Sequence, residues 1–119
     1  MTAFKAIKTA LRQFGYPANP YTYEGKEPKY FTYNYADNRG GDFGDDDPGC
    51  DVVAVQVHMF MPIRDPTTNA KINFQDDQRT VRQALFGHGF TYPEVAVIEE
   101  QETNKWHLVF ECEYEEEVE

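Results

Sequence analysis

The chain has 119 residues, a size at which one hydrophobic core is expected and a second domain is not. Its formal charge of −10 argues against a phosphate-backbone binder, which needs clustered Lys and Arg. Aromatic residues are 15% of the chain, and an acidic, Tyr-rich composition fits a subunit whose rings anchor an interface as well as a small core that the rings fill.

Phe4, Ile7, Leu11 and Phe14 recur at spacings of three and four opposite Lys5, Lys8 and Arg12, which predicts an amphipathic helix from about Thr2 to Phe14. Thr2 caps its start, and Gly15 and Pro17 end it. Tyr16 to Pro28 reads as turns. Tyr30 to Tyr35 is a strand of aromatic and β-branched residues, with Phe31, Tyr33 and Tyr35 toward the core. Ala36 to Asp51 is rich in Asp and Gly and far longer than the roughly two to five residues of a hairpin loop, so it is either functional or disordered.

A second strand, Asp51 to Met61, alternates Val53, Val55, Val57 and Met59 with a mixed face that holds Gln56 and His58. After a loop with Pro62 and Pro66, Asn73 caps a helix running to Phe86. Phe74, Val81, Ala84 and Leu85 form its apolar stripe, and Gly87 and Gly89 stop it. A hairpin from Tyr92 to Glu116 follows. Its long last strand alternates Trp106, Leu108, Phe110, Cys112 and Tyr114 with His107, Val109, Glu111, Glu113 and Glu115.

The expected fold is α+β: an antiparallel four-stranded sheet with two main helices packed on one face, in the order helix-strand-strand-helix-strand-strand. It forms a single domain over residues 1–119, with the Asp/Gly-rich loop at 36–51 and an acidic C-terminal end, half strand face and half solvated tail. The core is expected to rest on Leu11, Val55, Val57, Val81, Leu85, Leu108 and Phe110.

Chemical signals are weak. Asp42, Asp45, Asp46 and Asp47 lie on a Gly-bearing loop but lack the alternation and terminal Glu of a calcium loop. Asp42-Phe43-Gly44 spells a kinase motif without any of its companions. His58, His88 and His107 with Cys50 and Cys112 have no paired metal-ligand spacing. No nucleophile elbow, phosphate loop or dinucleotide fingerprint occurs, so the expectation is no enzyme, no cofactor and no metal. Cys112 reads as a small buried residue, and a bridge to Cys50 is reserved for an oxidising compartment. No apolar run nears the roughly 20 residues that span a bilayer, and no signal peptide opens the chain, which predicts a soluble protein made in a cytoplasm.

Taken together, the opening helix closing on Phe14-Gly15-Tyr16-Pro17, the segment Tyr30-Phe31-Thr32-Tyr33, the strand Asp51-Val52-Val53-Ala54-Val55-Gln56-Val57 and the closing Trp106-His107-Leu108-Val109-Phe110-Glu111-Cys112-Glu113-Tyr114 resemble the tail-terminator, or tail-completion, proteins of long-tailed bacteriophages. The resemblance is architectural and covers nearly the whole chain. It implies a structural virion protein at the tail-neck junction, present in the host cytoplasm during assembly. Its copies, usually six, form a ring that caps the tail tube and joins it to a neck or head-completion protein, while genomic DNA passes through without specific binding.

The candidate subunit or partner contacts are Asp42, Phe43, Asp45, Asp46 and Asp47 in the loop, and Glu111, Glu113 and Glu115 on the final strand. The acidic loop either lines the channel, where it repels DNA phosphates, or meets a neighbour. Alternative readings are a neck or head-closure protein, and a small acidic protein that binds and inhibits a host factor.

Overall fold

The computed structural model describes residues 1–36 and 50–117. Helix α1 spans Ala3–Leu11, with Thr2 in extended backbone and its Oγ1 accepting the Lys5 N–H at 3.3 Å. It tightens into a 3-10 turn at Arg12–Phe14 and stops at Gly15, whose φ of 75° places it in the left-handed region that glycine enters without a Cβ penalty. Ala6, Ile7, Ala10 and Leu11 form its buried stripe.

The strands are β1 (Ala18–Pro20), β2 (Tyr30–Tyr35), β3 (Cys50–Pro62), β4 (Glu94–Glu100) and β5 (Lys105–Glu117), and helix α2 (Gln75–Gly87) lies between β3 and β4. They make one five-stranded sheet in the order β1-β2-β3-β5-β4. This corrects the expected four-stranded antiparallel sheet. The sheet is mixed, because β1 runs parallel to β2, and the element order gains a strand between α1 and β2. Three residues ending in proline offer no alternation to read, and what holds them is non-local: Phe31 N–H donates to the Pro17 carbonyl at 2.7 Å and Tyr21 N–H to that of Tyr33 at 2.8 Å. Pro20 sits on the sheet edge, where a missing ladder donor costs least.

Both helices contribute to a single core with one sheet face. Leu11, Val55, Val57, Val81, Leu85, Leu108 and Phe110 are all buried in it, together with Phe31, Met59 and Met61. Helix α2 starts later than expected. Asn73 Oδ1 accepts the Gln75 N–H at 2.9 Å, one turn-like step ahead of the helix, and Phe74 packs beside the Trp106 ring, 4.8 Å between centroids. Tyr35, expected in the core, is 38% exposed: it lies at the end of β2, where it stacks on Phe4 near the start of α1.

Strands β3 and β5 have 13 residues each and pair over their full length, from Cys50↔Glu117 to Pro62↔Lys105. Strand β2 reaches only Val55 on one side and β4 only Glu111 on the other. Single hydrogen-bonded steps at Ala36–Ala54 and Thr91–Glu113 extend this cover slightly. Beyond them the last four pairs, Cys50–Val53 with Tyr114–Glu117, run on, among the described residues, as a two-stranded ribbon on the order of 10 Å long. The register also sets Cys112, which pairs with Val55, five residues along the strand from Cys50, roughly 17 Å, so the two cysteines do not bridge.

Candidate interaction surface

Alternation along the strands sends one set of side chains to the helices and the other to a face that, among the described residues, no helix covers. Phe60 and His58 of β3, His107 and Glu111 of β5, Tyr30 and Asn34 of β2 and Glu100 of β4 occupy it. Antiparallel pairing places Phe60 opposite His107 and Tyr30, and His58 opposite Val109 and Thr32. The rings stack into a row: Tyr23 on Tyr30 at 4.5 Å, Tyr30 on Phe60 at 4.8 Å, Phe60 on His107 at 4.3 Å and His107 beside His58 at 5.1 Å. Lys105 Nζ donates to the Tyr30 hydroxyl at 3.0 Å and lies over the Tyr30 ring.

A line of polar groups crosses the same face through four strands. It runs from Glu111 through Gln56, Asn34, His58 and His107 to Glu100, each step within 3.3 Å. Burial, with the neighbouring His107 reinforcing it, holds the His58 imidazole below the usual histidine range, against a smaller opposing pull from Glu111. Beside this line Ile98 is 44% exposed on edge strand β4, and Ala96 is exposed next to it.

The sequence-derived contact residues fall into two groups. Asp42, Phe43, Asp45, Asp46 and Asp47 lie outside the described residues. Glu111, Glu113 and Glu115 project from β5 onto the open face, Glu111 held by Gln56 and the other two exposed where the ribbon leaves the sheet. Sequence reasoning missed Glu116, which points the opposite way. Its Oε2 accepts the Ala3 N–H at 2.7 Å and the Tyr35 hydroxyl at 2.9 Å, which ties the ribbon to the positive end of α1. Burial and the Glu116 carboxylate push the Tyr35 hydroxyl up to about 12. The acidic end is therefore ordered strand as far as Glu117, not half tail.

His58 and His107 were legible only as separate side chains on polar strand faces, because they are 49 residues apart and meet through the β3–β5 register. Among the described residues, no three His, Cys, Asp or Glu side chains converge as a metal centre. None of the described helices is long and apolar enough to cross a membrane. No protein-family model matches the chain, and no curated protein matches it.

Proposed function

We propose that this chain is a non-enzymatic structural subunit that assembles side by side with its own copies, in the manner of a phage tail-terminator ring that caps the tail tube and meets the neck of the head. The observation that carries the reading is the single-layered sheet. One face holds the core, while the other presents a row of rings and a hydrogen-bonded line, flanked by an overhanging ribbon. Stacked Tyr and Phe with a polar surround make the kind of patch that anchors a protein contact. The ribbon, which runs past the ends of β2 and β4, gives each copy an edge with which to meet a neighbour. Head-to-tail contacts between two different surfaces close into a ring when the rotation allows.

The test is sedimentation of the purified chain over a concentration series, followed by electron microscopy with isolated tail tubes. Concentration-dependent rings that seat on tube ends are expected. A chain that stays monomeric and leaves the tube ends open overturns the reading, and a stoichiometric complex with a basic host protein in its place moves the function to the inhibitor class.

A further inference from the structure

Donor and acceptor roles along the open face are fixed from both ends, and neutral rings come out one hydrogen short. Asn34 Nδ2 lies 3.0 Å from the Tyr35 carbonyl, which only accepts, so this amide cannot be turned round. The same Nδ2 donates to Gln56 Oε1 at 3.3 Å, and Gln56 Nε2 donates in turn to the Glu111 carboxylate at 3.3 Å. Asn34 Oδ1 is left facing His58 Nε2 at 3.0 Å, so that nitrogen carries a hydrogen and His58 Nδ1 is an acceptor. At the other end the Glu100 carboxylate lies 3.0 Å from His107 Nδ1, which therefore carries a hydrogen too. His107 Nε2 stands 2.8 Å from His58 Nδ1 and must donate to it. Both nitrogens of His107 are then donors, which a neutral imidazole cannot provide. The line closes only with one hydrogen more than neutral rings and ionised end carboxylates supply.

We propose that His58 and His107, together with Glu100, form a one-proton switch that sets the form of the open face. With the extra proton, His107 is clamped as an imidazolium between the Glu100 carboxylate and His58 Nδ1, stacked on Phe60 at 4.3 Å, and the polar line runs unbroken across four strands. Without it His107 keeps a single N–H. Either Nδ1 serves Glu100 and two lone pairs face each other at 2.8 Å, or Nε2 serves His58 and a lone pair meets the carboxylate at 3.0 Å. Both arrangements repel, so the ring turns away from one partner and gives up its place on Phe60. A second proton breaks the line as well, because it would set an N–H on His58 Nδ1 against that of His107. Burial, then the neighbouring His107, hold His58 below the usual histidine range and so oppose that second proton. Among the described residues, the other charged and titratable groups on this side of the sheet are Glu111 and Lys105 of β5, Tyr30 of β2 and Glu94 of β4, which stands opposite Glu111. The carboxylates favour the added charge; Lys105, engaged with the Tyr30 hydroxyl at 3.0 Å, opposes it. A partner docking on this face meets a clamped, charged pair in one state and a loosened, neutral pair in the other.

The switch belongs to the single chain and does not rest on the assembly reading. Full chain with isotope-labelled histidine, followed by nitrogen NMR from about pH 5 to about pH 9, reads it directly. Near the ordinary imidazole value of about 6.5, His58 should be the Nε2–H tautomer and both His107 nitrogens should carry hydrogen. A nitrogen–nitrogen coupling should pass through the bond between His58 Nδ1 and His107 Nε2. As the pH is raised, that coupling and the second His107 hydrogen should vanish in one step, with the Phe60 ring protons shifting in the same step. Glu100→Gln separates the switch from a merely structural bond. The new amide donates to the His107 Nδ1 lone pair, so neutral rings complete the line and the coupling should persist to the top of the pH range, with the circular dichroism unchanged. Rings that titrate independently, with no coupling at any pH, overturn the proposal. Coupling in Glu100→Gln that vanishes at the same pH as in the parent overturns it as well.

Discussion

Cys112 shows how one side chain's surroundings set its chemistry. It is 6% exposed, pairs in register with Val55 at the centre of the core face, and its thiol is pushed up to about 12, first by burial and then by the Glu113 carboxylate. A raised thiol pKa means that folding favours the protonated form. That contribution is complete below the unfolded pKa and fades as pH climbs from there toward the folded value, so at this residue the fold loses stability to alkali and not to acid. In a Cys50→Ala variant, which leaves Cys112 as the one thiol, iodoacetamide at about pH 8.5 should react much more slowly with native protein than with urea-unfolded protein. Equal rates under the two conditions, followed by mass spectrometry, would mean that Cys112 is accessible and β5 misplaced.

Elements with a strong repeat were readable from the residues, and those held by distant partners were not. The stripe of α1, the valine alternation of β3 and the aromatic alternation of β5 each report burial directly, because a period of 3.6 or 2 survives only where one side faces a core. Strand β1 carries no such signal, since its pairing comes from β2 and from the Pro17 and Tyr33 carbonyls. The histidine pair was hidden for the same reason: alternation places His58 and His107 on polar faces, but only the register sets one ring against the other. Glu116 belongs to the core-side set of β5 and looked like more of an acidic end until α1 supplied its partner. At Gly15 the sequence signal and the backbone agree, and the cost of losing it can be isolated. A Cβ there would meet nothing within 4 Å, so Gly15→Ala pays only for the left-handed backbone, roughly 1–2 kcal/mol. Urea denaturation should place Gly15→Asn between the two, because Asn tolerates that region better than Ala. An Ala variant as stable as the parent would mean that the helix ends elsewhere.

For the whole molecule, the asymmetry of charge bears on how copies meet. The outward face of α1 carries Lys5, Lys8 and Arg12, all exposed and, among the described residues, without ion pairs, while β5 carries Glu111, Glu113 and Glu115 on the sheet's open face. The two surfaces lie on different sides of the sheet, so they cannot satisfy one another within a chain but can between neighbours arranged head to tail. Glu94 also stands directly opposite Glu111 across the β4–β5 pair, a like-charge juxtaposition that costs stability in the isolated chain. If assembly uses this complementarity, Glu113→Lys with Glu115→Lys should leave the melting temperature nearly unchanged, since exposed substitutions usually shift stability by no more than about 0.5 kcal/mol. It should nevertheless abolish the oligomer. Added salt should weaken the parent assembly in the same direction, because exposed charges are screened over roughly 8 Å at physiological ionic strength. Reversal of Lys5 and Lys8 to Glu in the same chain should then restore part of the association, measured by sedimentation against concentration. Rings that form equally well with the reversed ribbon would show that the contact lies on the aromatic row instead, with the carboxylates serving only to keep the free edge from indiscriminate pairing.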